Sequence, residues 1–387
     1  MGLGLNLYVD GRFGSFSTNR LDKKELETLI TNGIESTRYL AVDESRMLAD
    51  PARYYKGGKP DLQLFDKKLY EVNPDDKVAI ARAAAEEVLG KDERIISVDS
   101  SYSDGEGSSY RLISNGFEGE SKSTWFSVSA SVSIKGEGEA RPQDYWYDSA
   151  LFYDKLTKTG IGAKALERVL RKLGQKKAKS GKYTMVVDPM NVGNLLSPML
   201  SALYGSALQQ KNSFLMDKLD TKVASDLFTL RDEPHAIGAN GSRYFDNEGV
   251  ATEPRTVFDK GVLKTYFIDT YNGKKMDIAP TISAPSRLIL TPGDKDLNGL
   301  VADIKQGILV TGFNGGNSNS STGDFSYGIE GFLIEDGKLT QPVNEMNVTG
   351  NMVTLWNSLV AVGNDPQPNR SWQIPSLVFE GVDFSGL

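Results

Sequence analysis

An α+β fold is predicted: an N-terminal mixed α/β domain with antiparallel strands, followed by a C-terminal mainly-β, barrel-like domain. Three observations predict it. Two stretches of helical hydrophobic periodicity lie in the first 90 residues, and a strictly alternating strand runs from Thr124 to Ile134. After about Asp217 the chain turns to short apolar runs separated by Gly- and Asn-containing turns. At roughly 150 residues per domain, 387 residues allow two to three domains. The expected division is an α+β domain over 1–160, a helix–strand–helix segment over 161–216 and a β-rich domain over 217–387.

The first helix starts near Lys23, where Asp22 and Glu25 form a capping box and Leu26, Leu29, Ile30 and Ile34 recur at helical spacing. A second opens at Asn73-Pro74, a cap followed by proline at the first helical position, and ends near Gly90. Its stripe is Ala79, Ile80, Ala83, Ala84, Val88 and Leu89. Ile95–Val98 reads as a short strand, and Asn115-Gly116 marks a hairpin within 110–118. In the strand 124–134, Phe126, Val128, Ala130, Val132 and Ile134 form a core face. Ser127, Ser129, Ser131 and Ser133 form a hydroxyl face, either solvent-exposed or the wall of a wet cavity.

A charged connector, 154–159, leads to a helix over 163–173 that Gly174 stops. Tyr183–Val187 reads as a buried strand ending at Asp188-Pro189, and a long helix is predicted from Asn191 to Gln210. Beyond it, turns are predicted at Asp246-Asn247, Asn272-Gly273, Asp336-Gly337 and Gly363-Asn364, with a helix or two near 297–307.

Composition excludes much chemistry. The chain has no Cys and one His, His235, so thiolate nucleophiles, Cys-containing zinc sites and any site with two imidazoles are out. The net charge of −7 does not favour a nucleic-acid partner. No apolar run reaches the ~18 residues of a membrane span, and Met1–Val9 is too short for a secretory signal, so the expectation is a cytoplasmic protein without membrane contact.

Several stretches invite a functional reading. Gly160-Ile-Gly162-Ala-Lys-Ala165 matches a dinucleotide-binding turn, with Asp188 23 residues on. The residues before it are too polar for the buried strand that turn requires, which leaves a flexible helix entry. Eight basic residues between Lys164 and Lys182, among them Lys176, Lys177 and Lys179, could contact phosphates, yet no aromatic interleaves them before Tyr183. A solvated helix face with a basic loop is the better reading. His235 stands beside Asp232 and Glu233, a constellation that could serve an enzyme of unrecognised chemistry or simply a structural loop. Asn314-Gly315-Gly316-Asn317 reads as a polar, glycine-rich loop and, with Tyr327, as a candidate peptide-contact site.

Ordered motifs span practically the whole chain: Val9–Gly14, Ser17–Asn19, Lys182–Pro189, Phe245–Arg255, Gly261–Tyr266, Gly323–Gly328, Gly337–Pro342 and Val362–Asp365. On these residues the chain resembles the TldD/PmbA family. Family members carry some dozens of residues before the first strand, so a missing first segment is expected here.

The resemblance implies a choice between two kinds of subunit. TldD-type members carry zinc on an H-E-x-x-x-H helix and a later Cys. TldE (PmbA)-type partners lack these ligands and pair with the active subunit in a complex associated with peptide maturation and degradation, including microcin precursors and an antitoxin; an older name is modulator of DNA gyrase. In this sequence Ser197 and Pro198 stand where the first His and the Glu would be, Ala202 at the second His, and Ile374 near the Cys. The resemblance therefore implies a non-catalytic, TldE-like subunit that holds no cofactor. Zinc is expected in a TldD-type partner, with a homodimer as the other possible assembly and peptides as substrates. A nucleic-acid accessory role, prompted by the gyrase name and the basic stretch, is the weakest reading.

Overall fold

The computed structural model describes residues 1–387. It opens with a hairpin, Leu3–Val9 (β1) against Arg12–Thr18 (β2). The hairpin turns on Asp10-Gly11, both at positive φ (48° and 72°), the backbone hand a two-residue hairpin demands. The helix Lys23–Arg38 (α1) starts as predicted, with the Asp22 carboxylate accepting from the Glu25 amide at 3.1 Å. It crosses the hairpin at Gly33, where an added Cβ would lie 3.0 Å from Leu7 and 3.3 Å from Phe16.

The next unit contains Pro74–Glu86 (α2), Ile95–Ile113 (β3), Phe117–Ile134 (β4), Gln143–Ala150 (β5) and Ile161–Leu170 (α3). The strands form an antiparallel sheet in the order β3-β4-β5. Phe126, Val128, Ala130, Val132 and Ile134 are at most 1% exposed and pack on Ala84 and Val88 and on Ile161, Ala165 and Val169 of α3. The serine face is half-buried and cross-linked: Ser129 meets Ser101 at 2.9 Å, and Gln143 donates to Ser131 at 2.8 Å. The strand expected at 95–98 is the start of a 19-residue strand. Its later residues are polar and largely exposed, held by a ladder to β4 that runs from Ile95↔Ile134 to Ile113↔Phe117 rather than by burial.

The remainder contains Gly181–Val187 (β6), Gly193–Ser201 (α4), Gly205–Gln209 (α5), Leu230–Asp232 (β7), Arg255–Asp259 (β8), Val262–Leu263 (β9), Thr270–Met276 (α6), Leu288–Leu290 (β10) and Leu297–Ala302 (α7). It continues with Gln306–Ser318 (β11), Asp324–Glu335 (β12), Lys338–Asn351 (β13), Met352–Asn357 (α8), Leu359–Val362 (β14), Trp372–Gln373 (β15) and Leu377–Ser385 (β16). One sheet runs β13-β12-β11-β6-β16-β14, and a further pairing of β13 with β16 closes five of its strands into a barrel. The second sheet runs β15-β10-β7-β8-β9. A core of 44 buried residues fills this part of the molecule.

Three expectations are corrected. The segment 161–216 is not one unit: Ile161, Ala165 and Val169 belong to the β4 core, while Met185, Leu195 and Leu203 belong to the larger one. The helix predicted over 191–210 breaks after Ser201, because Tyr204 turns extended (ψ 140°) and the chain pairs with Phe267. The Gly205 amide donates to the Phe267 carbonyl at 2.7 Å, and the Phe267 amide to Leu203 at 2.9 Å. Asn272-Gly273 is helical, drawn into α6 by the Asp269 cap, which accepts from the Asn272 amide at 2.7 Å.

Candidate functional site

Asp188 closes β6, and its carboxylate accepts from the Asn191 amide at 3.0 Å and the Asn191 side chain at 2.7 Å, fixing the entry to α4. Burial pushes the Asp188 carboxyl above its ordinary range, against the hydrogen bonds from Asn191. Along α4, Leu195, Leu196, Met199 and Leu200 are buried, while Asn194, Ser197 and Ser201 face solvent. Pro198 sits inside the helix, Ala202 at its C-terminal cap is 1% exposed, and Ile374 is 4% exposed in the same core.

These residues do not fit zinc. One outward hydroxyl, a proline ring, a methyl and an aliphatic chain supply neither imidazole, thiolate nor carboxylate. Nowhere in the chain do three or more His, Cys, Asp or Glu gather in a way that could hold a metal ion.

The His235 constellation does not assemble. The Thr252 hydroxyl donates to the Arg243 carbonyl at 2.5 Å, so towards His235 it accepts, and Nε2 of the imidazole carries the proton across 3.1 Å. Burial holds the imidazole pKa below its usual value, with Lys59 adding to the effect. Asp232 points away, accepting from the amides of Ser286 and Arg287 at 2.8–3.1 Å. Glu233 pairs with Arg231 at 2.7 Å. No carboxylate orients the histidine, so the arrangement of a general base is missing.

The loop expected at Asn314–Asn317 is part of β11, with register shifts before and through it. Gly316 stands opposite Tyr327 at φ 96°, where a Cβ would meet the Ser326 carbonyl at 2.1 Å. Its glycine serves the bulge. Tyr327 is 9% exposed and packs on Phe313 and Phe325 (ring centroids 5.6 and 5.3 Å), so it is a core residue; Asn314 and Gly315 remain exposed.

The glycine turn before α3 has an occupant from within the chain. Glu87 accepts from the amides of Gly160, Gly162 and Ala163 at 2.6, 2.8 and 3.2 Å, filling the place a phosphate would take. The basic stretch that follows is largely paired. Arg168 and Lys172 contact Asp144 at 3.2 Å each, Lys172 also contacts Glu330 at 2.7 Å, and Lys164, Lys177 and Lys182 meet Glu167, Glu345 and Asp383.

The acidic residues of the long motifs work as local staples. Asp246 holds the amides of Glu248, Val250 and Ser283 at 2.8–3.0 Å. Asp365 holds Ser376 through both amide and hydroxyl, and also the Leu297 amide. Sequence reading missed Arg287 and Arg370, which line a cleft of about 510 Å³ between the two larger cores. Isolated arginines in loops carry no periodic or motif signal.

Comparison with known proteins adds to this geometry. Residues 180–386 match the PmbA/TldA metallopeptidase C-terminal domain, and residues 67–173 match the central domain. The chain is similar to a metalloprotease PmbA homolog of Haemophilus influenzae, 28% identical over 99% of this chain and 85% of that protein. To metalloprotease PmbA of Escherichia coli O157:H7 it is 27% identical, over 99% of this chain and 85% of that protein. A crystal structure of a proposed modulator of DNA gyrase from Bacteroides thetaiotaomicron superposes with a TM-score of 0.99 at 74% identity, covering 100% of this chain and 88% of that one. TldE from Thermococcus kodakarensis shares the fold, with a TM-score of 0.83 at 21% identity over 99% of this chain and 89% of that one.

Proposed function

The chain belongs to the PmbA/TldD metallopeptidase family, and from that premise we propose that it is a TldE/PmbA-like subunit, non-catalytic by itself, of a cytoplasmic TldD/TldE-type zinc metallopeptidase complex acting in proteolysis and peptide maturation. The observation that carries the proposal is the chemistry at four positions. Ser197, Pro198, Ala202 and Ile374 replace every ligand and the general base that the family resemblance implies for an active subunit. Hydrolysis by a zinc peptidase needs ligands that keep the ion and a base that takes the proton of the activated water. The exposed Ser197 hydroxyl alone supplies neither.

The chain's contribution would then be shape. It would complete a substrate chamber around the zinc of a TldD-type partner and offer strand edges to an unfolded peptide. Strand β3 suits that role, since it lies at the edge of its sheet, is 19 residues long and is largely exposed beyond Gly105. The paired basic stretch and the lone, unoriented His235 favour neither a nucleic-acid role nor independent chemistry.

The test is to mix the chain with a TldD-type subunit, weigh the product by native mass spectrometry and follow cleavage of an unfolded peptide. A mixed complex that cleaves, beside a lone chain that does not, is the expected result. Turnover by the lone chain would sink the proposal.

A further inference from the structure

The cleft between the two larger cores opens where the loop after β5 faces the 237–240 loop and the turn before β15. Three cations line it, Lys155, Arg287 and Arg370, and no carboxylate does. In a chain of net charge −7, that local excess calls for an explanation. The neighbouring acids are engaged elsewhere: Glu233 holds Arg231, and Asp154 holds Lys68.

Both guanidinium groups are set in place by their surroundings. The Arg287 amide donates to Asp232 at 2.8 Å and its carbonyl accepts from Glu233 at 2.8 Å, so the base of the side chain is fixed. Its Nε is buried and has no hydrogen-bond partner. The Arg370 guanidinium lies 4.8 Å from the ring centre of Tyr147. Burial pulls the pKa of both arginines below the usual guanidinium range, outweighing the opposite pull of Glu233 on Arg287 and of Tyr145 on Arg370.

The rest of the lining suits a peptide. Asn240 and Gln373 present amide side chains held by the Asn369 and Arg370 carbonyls at 3.2 and 2.6 Å, a chemistry that matches backbone amides. Phe152 and the 60% exposed Ile237 provide apolar contact beside them. No α-helix begins in the lining, whose one helix start is the three-residue 3-10 turn Tyr153–Lys155, so the usual cradle of a phosphate is missing.

We propose that this cleft binds a carboxylate of an acidic peptide segment, with Arg287 and Arg370 taking the carboxylate and the amide side chains taking the backbone. A planar guanidinium pairs with a carboxylate through two parallel hydrogen bonds, which is why the carboxylate is favoured over a diffuse charge.

The full chain, without any partner subunit, is titrated against a fluorescein-labelled, C-terminally amidated Glu-rich peptide and its Gln counterpart, with fluorescence anisotropy as the readout. The outcome is thus independent of whether pairing with a TldD-type subunit occurs. The Glu peptide is expected to bind in a salt-sensitive manner, about tenfold or more tighter than the Gln peptide. Arg370→Gln should lose about tenfold, and Lys155→Gln less, since Lys155 is exposed. A neutral peptide with a free C-terminal carboxylate separates the two carboxylate sources, and binding by either supports the site. Arg287→Gln is included with circular dichroism as a check on the fold, and where loss of that half-buried side chain unfolds the protein, Arg370→Gln carries the comparison. Equal binding of Glu and Gln peptides, unchanged binding by both Arg370→Gln and Lys155→Gln, or tighter binding of inorganic phosphate than of any carboxylate peptide would overturn the proposal.

Discussion

Glu248 shows how a single half-buried carboxyl loads the fold. It accepts from the amide and hydroxyl of Thr270 at 2.9 and 3.0 Å, yet burial raises its pKa and the nearby Asp246 and Asp269 raise it further. Because the folded value stands above the unfolded one, its favourable contribution is complete below the unfolded pKa and is lost as pH rises through the folded pKa. Glu248→Gln keeps an acceptor for Thr270 and removes the charge. It should raise the melting temperature at pH 7, with the gain shrinking towards pH 4, as differential scanning calorimetry over that range will show. His235 has the opposite sign. Its lowered pKa means the unfolded chain binds the proton more readily, so stability falls as pH drops through about 6.5 towards the folded value. As the only histidine, it gives one imidazole resonance set, and an NMR titration should place its pKa below 6.5. A value above 6.5 would restore it as an acid–base candidate. The residue count was legible from the start, while the partners of Asp232 and Glu87 were not, since they lie 54 and 73 or more residues away along the chain.

Among the elements, the packing of α2 on α3 depends on one missing side chain. A Cβ at Gly162 would lie 1.9 Å from the Ala84 carbonyl, closer than any contact side chains tolerate. Gly162→Ala should therefore force the helices apart at a cost of about 2–3 kcal/mol, read as a lower denaturant midpoint with an unchanged slope. The glycine pair that looks like a nucleotide turn is thus a packing device closed by Glu87. Elements with a strong local period were legible: α1, α2, α3, β4 and β6 all stand where their apolar spacing places them. Those held by distant partners were not. β3 is polar along much of its length because cross-strand pairing rather than burial stabilises it. The break between α4 and α5 comes from the backbone of Phe267, more than 60 residues away. The bulge at Gly316 reads as a loop in sequence because glycine and asparagine are common to both.

For the molecule as a whole, the barrel is closed by β13 meeting β16 and by the parallel pairing of β6 with β11, contacts that no local pattern encodes. A C-terminal barrel-like domain was nevertheless legible from the change of texture after Asp217, and the family from its ordered motifs. The acids in those motifs turn out to staple loops: Asp188 at the entry to α4, Asp246 at the 246–250 turn and Asp365 on Ser376. The scaffold therefore rests on these carboxylates and not on Ser197, Pro198, Ala202 or Ile374. The chain thus carries the fold of the PmbA/TldD metallopeptidase family, and the proposal that it leaves zinc to a partner stands on the chemistry of Ser197, Pro198, Ala202 and Ile374. Zinc stoichiometry decides the matter: the lone chain and its complex with a TldD-type subunit are equilibrated against micromolar zinc, free metal is removed, and zinc per chain is counted by elemental analysis. Metal far below stoichiometric on the lone chain, and one zinc per TldD-type subunit in the complex, is the expected outcome. One tightly held zinc on the lone chain would contradict it.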